Sequence, residues 1–101
     1  MTEYRLLING EMTPGDTIME VVNPATEEKI ADCPRASEAQ LNLAVESANA
    51  AFPAWSKTPI EERKAIILKI ADIIEANSSE LAQLLTEEQG KPLEAATTEV
   101  F

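Results

Sequence analysis

Cys33-Pro34-Arg35-Ala36-Ser37-Glu38-Ala39-Gln40-Leu41 is the stretch in which the sequence changes its period. Upstream lie most of the turn formers and three strand-like runs: Arg5-Leu6-Leu7-Ile8, Ile18-Met19-Glu20-Val21-Val22 and Lys29-Ile30-Ala31-Asp32-Cys33. Asn9-Gly10 follows the first run and can supply the positive φ values of a tight hairpin. Thr13-Pro14-Gly15-Asp16 punctuates before the second run. Asn23-Pro24-Ala25-Thr26 forces an extended residue at Asn23 and a turn after it. Residues 1–36 therefore read as short antiparallel strands.

Downstream the period is helical. Ser37 and Gln40 fit a capping box, and Leu41, Ala44, Val45, Ala48, Ala51 and Phe52 fall on one face. Pro53 is expected to end or kink that helix. Thr58-Pro59-Ile60-Glu61 opens the next, with a Thr cap, Pro at the first helical position and Glu at the third. Ile66, Ile67, Ile70, Ala71 and Ile74 form its stripe. Leu68 and Ile73 lie off that stripe, so the helix is apolar over a wide arc and needs neighbours on more than one side. Asn77-Ser78-Ser79-Glu80 marks a break and a new cap. Leu81, Leu84 and Leu85 continue as a short helix that Gly90 terminates. Pro92 can open a last helix through Leu93, Ala96 and Val100. The expectation is an α+β fragment: a few strands over 1–36, then three or four helices over 37–101. Glu99-Val100-Phe101 carries no C-cap and reads as a chain cut inside an element.

The 101 residues and 11.0 kDa allow one domain at most, and a compact fold this size buries roughly 65% of its unfolded-chain surface. With 18 acids against 8 bases the net charge is −10, which repels nucleic acid and anionic membrane surfaces alike. There is no His, so Ser-His and Cys-His nucleophile pairs and His metal clusters are excluded within the chain. A single Cys excludes an intrachain disulfide. Met1-Thr2-Glu3-Tyr4 lacks the basic start of a secretory signal, and no apolar run is long enough to span a bilayer. The expectation is a soluble protein of a reducing compartment, by default the cytoplasm.

Few residues could carry chemistry, and each has a plainer explanation. Glu61-Glu62 and Glu87-Glu88 are paired carboxylates, but adjacent helical positions point about 100° apart and do not converge on one substrate. Cys33 sits beside Asp32 with no activating base in view, so a structural cysteine is the better reading. Gln89-Gly90-Lys91-Pro92 hints at an anion site, yet it lacks the glycine spacing of a phosphate-binding loop or dinucleotide turn. Trp55 with Phe52 and Pro53 reads as a packing anchor between elements.

The whole chain nevertheless resembles the N-terminal segment of the NAD(P)-dependent aldehyde dehydrogenase superfamily. The matching residues run in order: Ile8-Asn9-Gly10-Glu11; Val21-Val22-Asn23-Pro24-Ala25-Thr26; Ala51-Phe52-Pro53-Ala54-Trp55; Thr58-Pro59 with Glu62-Arg63; Leu84-Leu85-Thr86; and Glu88-Gln89-Gly90-Lys91-Pro92-Leu93-Glu94-Ala95. The Glu-Gln-Gly-Lys-Pro-Leu form looks most like the succinate-semialdehyde dehydrogenase-like branch. Glu27 departs from the pattern, since the family often has Gly after the Asn-Pro-Ala-Thr turn.

The resemblance implies a parent enzyme of α/β fold that oxidises an aldehyde to a carboxylic acid, or thioester, with NAD or NADP. In the family a thiolate attacks the aldehyde, the thiohemiacetal gives up hydride to the nicotinamide, and a Glu aids hydrolysis of the acyl-enzyme. A backbone N–H and an Asn stabilise the oxyanion. All of those groups, with the dinucleotide-binding strands, lie downstream of the matched segment. The implied chain is thus the incomplete first part of the nucleotide-binding domain, inactive alone, with no catalytic, cofactor-binding or metal residue of its own. Cys33 does not match the family nucleophile. Carbonyls around Val21-Val22 and an acid near Glu99 resemble a monovalent-cation site of some members, one that later residues complete. The implied partner is the remainder of the parent chain. The alternative is a non-enzymatic helical module that associates with itself or with a full-length relative through Ile66, Ile67, Ile70 and Ile74.

Overall fold

The computed structural model describes residues 3–101, so the reading of Met1-Thr2 as the start of the chain lies outside the described residues. Four strands precede four helices: β1 (Leu6–Ile8), β2 (Glu11–Thr13), β3 (Thr17–Val22), β4 (Lys29–Arg35), α1 (Glu38–Lys57), α2 (Ile60–Ala76), α3 (Ser78–Gln89) and α4 (Leu93–Val100). The strands make two separate two-stranded sheets, β1 with β2 and β3 with β4. By contact the chain divides into two compact units. One holds the residues through Val21 together with Lys29–Lys57; the other holds Val22–Glu28 with Thr58–Phe101.

In the first unit, Asn9 (φ 51°) and Gly10 (φ 77°) form the two-residue turn expected of Asn-Gly. It sets an antiparallel register of Leu6 opposite Thr13, Leu7 opposite Met12 and Ile8 opposite Glu11. The capping box at α1 is complete. The Gln40 N–H donates to Ser37 Oγ (3.2 Å), and the Ser37 N–H donates to Gln40 Oε1 (3.2 Å). The same two side chains reach back to the β2–β3 turn. Asp16 N–H donates to Gln40 Oε1 (2.9 Å), Gln40 Nε2 donates to the Pro14 carbonyl (3.0 Å), and the Ser37 hydroxyl donates to the Asp16 carboxylate. Gly15 lies so close to β4 that a Cβ there would meet the Arg35 backbone N and O at 2.6 and 2.7 Å.

The helix α1 departs from its sequence reading twice. It runs through Pro53 to Lys57 rather than ending there, and the Ser56 hydroxyl donates to the Pro53 carbonyl (2.9 Å). Its half-covered line is Gln40, Ala44 and Ser47, at i, i+4 and i+7. Leu41, Val45 and Phe52, expected to face inward, are exposed. The polar staple at Gln40 and Ser37 fixes which side of α1 meets the strands, and that side is turned roughly 75° from the centre of the apolar stripe, with Ala44 common to both.

In the second unit, α2 starts one residue later than expected. Pro59, not Thr58, occupies the capping position, and its carbonyl accepts from Glu62 N–H (3.0 Å) and Arg63 N–H (3.1 Å). Asn77 closes α2 and opens α3, its amide Nδ2 donating to the Ile73 carbonyl (2.8 Å). Gly90 ends α3 in the left-handed region (φ 80°), its N–H donating to the Thr86 carbonyl (2.8 Å). The close packing of this unit is α3 on α4, and each helix holds one almost wholly buried residue, Ala82 and Ala96. The segment 22–28 is a tight turn. Ala25 N–H donates to Asn23 Oδ1 (2.9 Å), Glu27 N–H to the Asn23 carbonyl (2.8 Å) and Asn23 N–H to the Glu28 carbonyl (2.9 Å). That geometry sets Glu27 at φ 63°, where glycine would fit without strain.

Among the described residues the only buried apolar side chains are Ile8, Ala31, Ala82 and Ala96. Three of the four are alanines. No large side chain is fully buried.

Candidate functional site

The residues weighed for chemistry are each held by local contacts. Cys33 is half-buried in β4, with its sulfur 3.8 Å from the Pro34 carbonyl. The adjacent Asp32 pairs with Lys29 (3.1 Å). Glu61 and Glu62 occupy the first turn of α2, where the helix dipole favours acids. Glu87 accepts from Gln83 Nε2 (3.1 Å), one turn back along α3. Lys91, the cation of the possible anion site, is ion-paired with Glu99. Trp55 and Phe52, read as packing anchors, are 42% and 63% exposed. No group of three or more His, Cys, Asp or Glu among the described residues is placed to hold a metal ion.

The glycines do not build the turn that grips a dinucleotide. Its phosphates need a glycine-rich turn feeding a helix N-terminus. The three glycines instead serve a hairpin turn at Gly10, a close approach to the Arg35 backbone at Gly15, and a helix C-terminus at Gly90. An open hollow of about 260 Å³ in the first unit is lined by Tyr4, Ile18 and Pro34 with Glu3 and Asp32. Both acids are already paired, Glu3 with Arg5 (3.1 Å) and Asp32 with Lys29.

What the structure does assemble is a face. Along α2, Ile60, Ile66, Ile67, Ile70, Ile73 and Ile74 are 42–64% exposed. At 100° per residue they span an arc of roughly 140°. Ile73, set apart in the sequence reading, belongs to this face, seven residues after Ile66 and three after Ile70. Leu68 is exposed on the opposite side (55%). At the middle of the arc lies Arg63, the one residue of α2 that is not exposed. Its Nε is buried and has no hydrogen-bond partner, as has Thr86 Oγ1 on α3. In the sequence Arg63 figures only as part of a motif. A cation in step with Ile66, Ile67 and Ile70 was the signal available.

The chain belongs to the aldehyde dehydrogenase family, whose sequence model matches residues 11–101. Mitochondrial methylmalonate-semialdehyde/malonate-semialdehyde dehydrogenase (acylating) of Mus musculus is 38% identical over 99 residues, covering 96% of this chain and 18% of that protein. Mitochondrial aldehyde dehydrogenase of Leishmania tarentolae is 44% identical over 97 residues, covering 93% and 19%. The crystal structure of succinate-semialdehyde dehydrogenase from Burkholderia pseudomallei superposes with a TM-score of 0.91 at 38% identity, covering 97% of this chain and 21% of that one. PnpE in complex with nicotinamide adenine dinucleotide superposes at 0.87 with 36% identity, covering 95% and 20%. The chain thus spans about a fifth of the length of the relatives it matches. The strands-then-helices arrangement is an α+β fragment of the aldehyde dehydrogenase fold. No helix among the described residues is long and apolar enough to cross a membrane.

Proposed function

We propose that this chain is the N-terminal, structural portion of an NAD(P)-dependent aldehyde dehydrogenase that oxidises an aldehyde to a carboxylic acid, and that it turns over no substrate alone. The observation that carries this reading is the match to the family over 11–101 by a chain one fifth the relatives' length. Its own residues supply neither a nucleophile with a base nor a cradle for the dinucleotide. The chain has no His, and its one thiol lies in a strand beside a paired acid. Semialdehydes are the substrates named for several relatives, so a short aldehyde bearing a carboxylate is the class to try first. A cytoplasmic setting suits the lone thiol, which needs a reducing compartment to stay free.

The test is direct. Purified 101-residue protein, mixed with succinate semialdehyde or malonate semialdehyde and NAD or NADP, is expected to give no rise in absorbance at the reduced-nicotinamide band. Saturable production of NADH or NADPH by that material would sink the proposal.

A further inference from the structure

Resting on that reading, we propose that Arg63 is an assembly anchor: the surface that covers α2 in a family-length enzyme brings a carboxylate to its guanidinium. Three observations meet here. First, the six isoleucines, each about half exposed, present on the order of 500 Å² of apolar surface, at the level where an exposed patch marks an interaction site. Second, Arg63 stands in the middle of that face with its Nε already out of water, so a cover over the isoleucines closes off what solvent the rest of the guanidinium still has. A desolvated charge is tolerated only when paired, and a carboxylate, which arginine can grip with two parallel bonds, is the best partner. Third, nothing within the described chain supplies it. Arg63 Nε has no acceptor, and the recorded ion pairs among the described residues use Arg5, Lys29 and Lys91.

The same facts choose the occupant. A second copy of α2 would offer a face of isoleucines and another arginine, with no acid in the arc, and it would bring a further net charge of −10. A lipid surface would bury the isoleucines and strand the cation. An apolar segment carrying an Asp or Glu, within the four fifths of the family fold outside this chain, satisfies both demands. The arginine then acts as a register pin. Apolar contact alone would let a cover slide along the stripe, while one charge pair fixes its position.

Two measurements test this. The first is sedimentation of the 101-residue protein between micromolar and hundred-micromolar concentration. The expected behaviour is unaltered by Ile70→Asp; a tight dimer that Ile70→Asp dissolves would overturn the choice of occupant. The second joins this chain, in place of the matched segment, to the rest of the Burkholderia pseudomallei succinate-semialdehyde dehydrogenase. The half-life of NAD-reducing activity is then followed at one elevated temperature. Arg63→Met is expected to shorten it by roughly tenfold or more, and Arg63→Lys by clearly less, because Lys keeps the charge and Met keeps the apolar stem. An Arg63→Met half-life equal to or longer than the unsubstituted one would overturn the anchor and leave the family reading intact. A joined protein that neither folds nor reduces NAD before any substitution would overturn both.

Discussion

The two compact units are held by different physics. In the first, directional polar bonds tie distant pieces of chain together: Gln40 alone engages Ser37, Asp16 and Pro14, and Gly15 lets β4 come within reach of the turn. In the second, the firm contact is an alanine seam between α3 and α4, and α2 keeps its isoleucines exposed. The difference teaches that internal geometry and coverage are separable. One unit specifies its own shape with hydrogen bonds. The other presents surfaces whose stabilisation comes from burial, which this chain does not supply. A 17-residue helix is marginal in water without tertiary packing, so α2 is expected to be the least protected element of the chain.

The comparison can be broken most sharply at Gly15. A Cβ at 2.6 Å from Arg35 N and 2.7 Å from Arg35 O meets backbone that cannot swing aside. Gly15→Ala should cost about 3 kcal/mol, speeding amide exchange in β3 and β4 on the order of a hundredfold. Exchange in α3 and α4 should stay as it was; if it rises equally, the two units are one cooperative body. Next in size is the seam of the second unit. Ala96 is wholly buried, and Ala96→Leu should overpack it at a cost of about 2 kcal/mol. The readout is lost helical circular dichroism with the Asn9-Gly10 hairpin still protected. The smallest effect is a gain. Glu27 holds φ 63° in the 22–28 turn, and Glu27→Gly should stabilise that turn by roughly 0.5–1 kcal/mol. Exchange at the Asn23 and Glu27 amides should slow a few-fold; faster exchange would mean that the glutamate's side chain compensates for its backbone.

Much of this architecture is legible in the sequence because its devices are local. Asn9-Gly10, the Ser37/Gln40 box, the break at Asn77 and the Gly90 terminus each act within four residues, and each lies where its residue types demand. The departures share a cause of longer range. Leu41, Val45 and Phe52 form a convincing apolar stripe, yet α1 turns Gln40, Ala44 and Ser47 to the strands, because Gln40 and Ser37 are bonded to residues 14 and 16. Pro53 does not stop α1, since a helix can give up one backbone donor when its neighbours hold. Trp55 is exposed for the reason that the α2 face is: a pattern records where a side chain should be buried, not which part of a protein buries it. The candidate site follows the same rule. Ile66, Ile67, Ile70 and Ile74 were plain from periodicity, whereas Ile73 was set apart and the unpartnered Nε of Arg63 needs coordinates to be seen.

The turn at 22–28 has one more consequence. Its flanking strands belong largely to the first unit, but the turn itself is grouped with the helices, where a Cβ on Gly90 would meet Pro24 Cγ at 3.0 Å. The polypeptide therefore passes from one unit to the other three times, after Val21, after Glu28 and after Lys57. No single scission can part the two units cleanly. A protease cutting between Lys57 and Thr58 would free a helical piece stripped of the loop on which the end of α3 rests, and would leave that loop attached to the other half. Cleaved at that bond, the chain should yield one piece that keeps the whole of its unit and one that has lost part of its own.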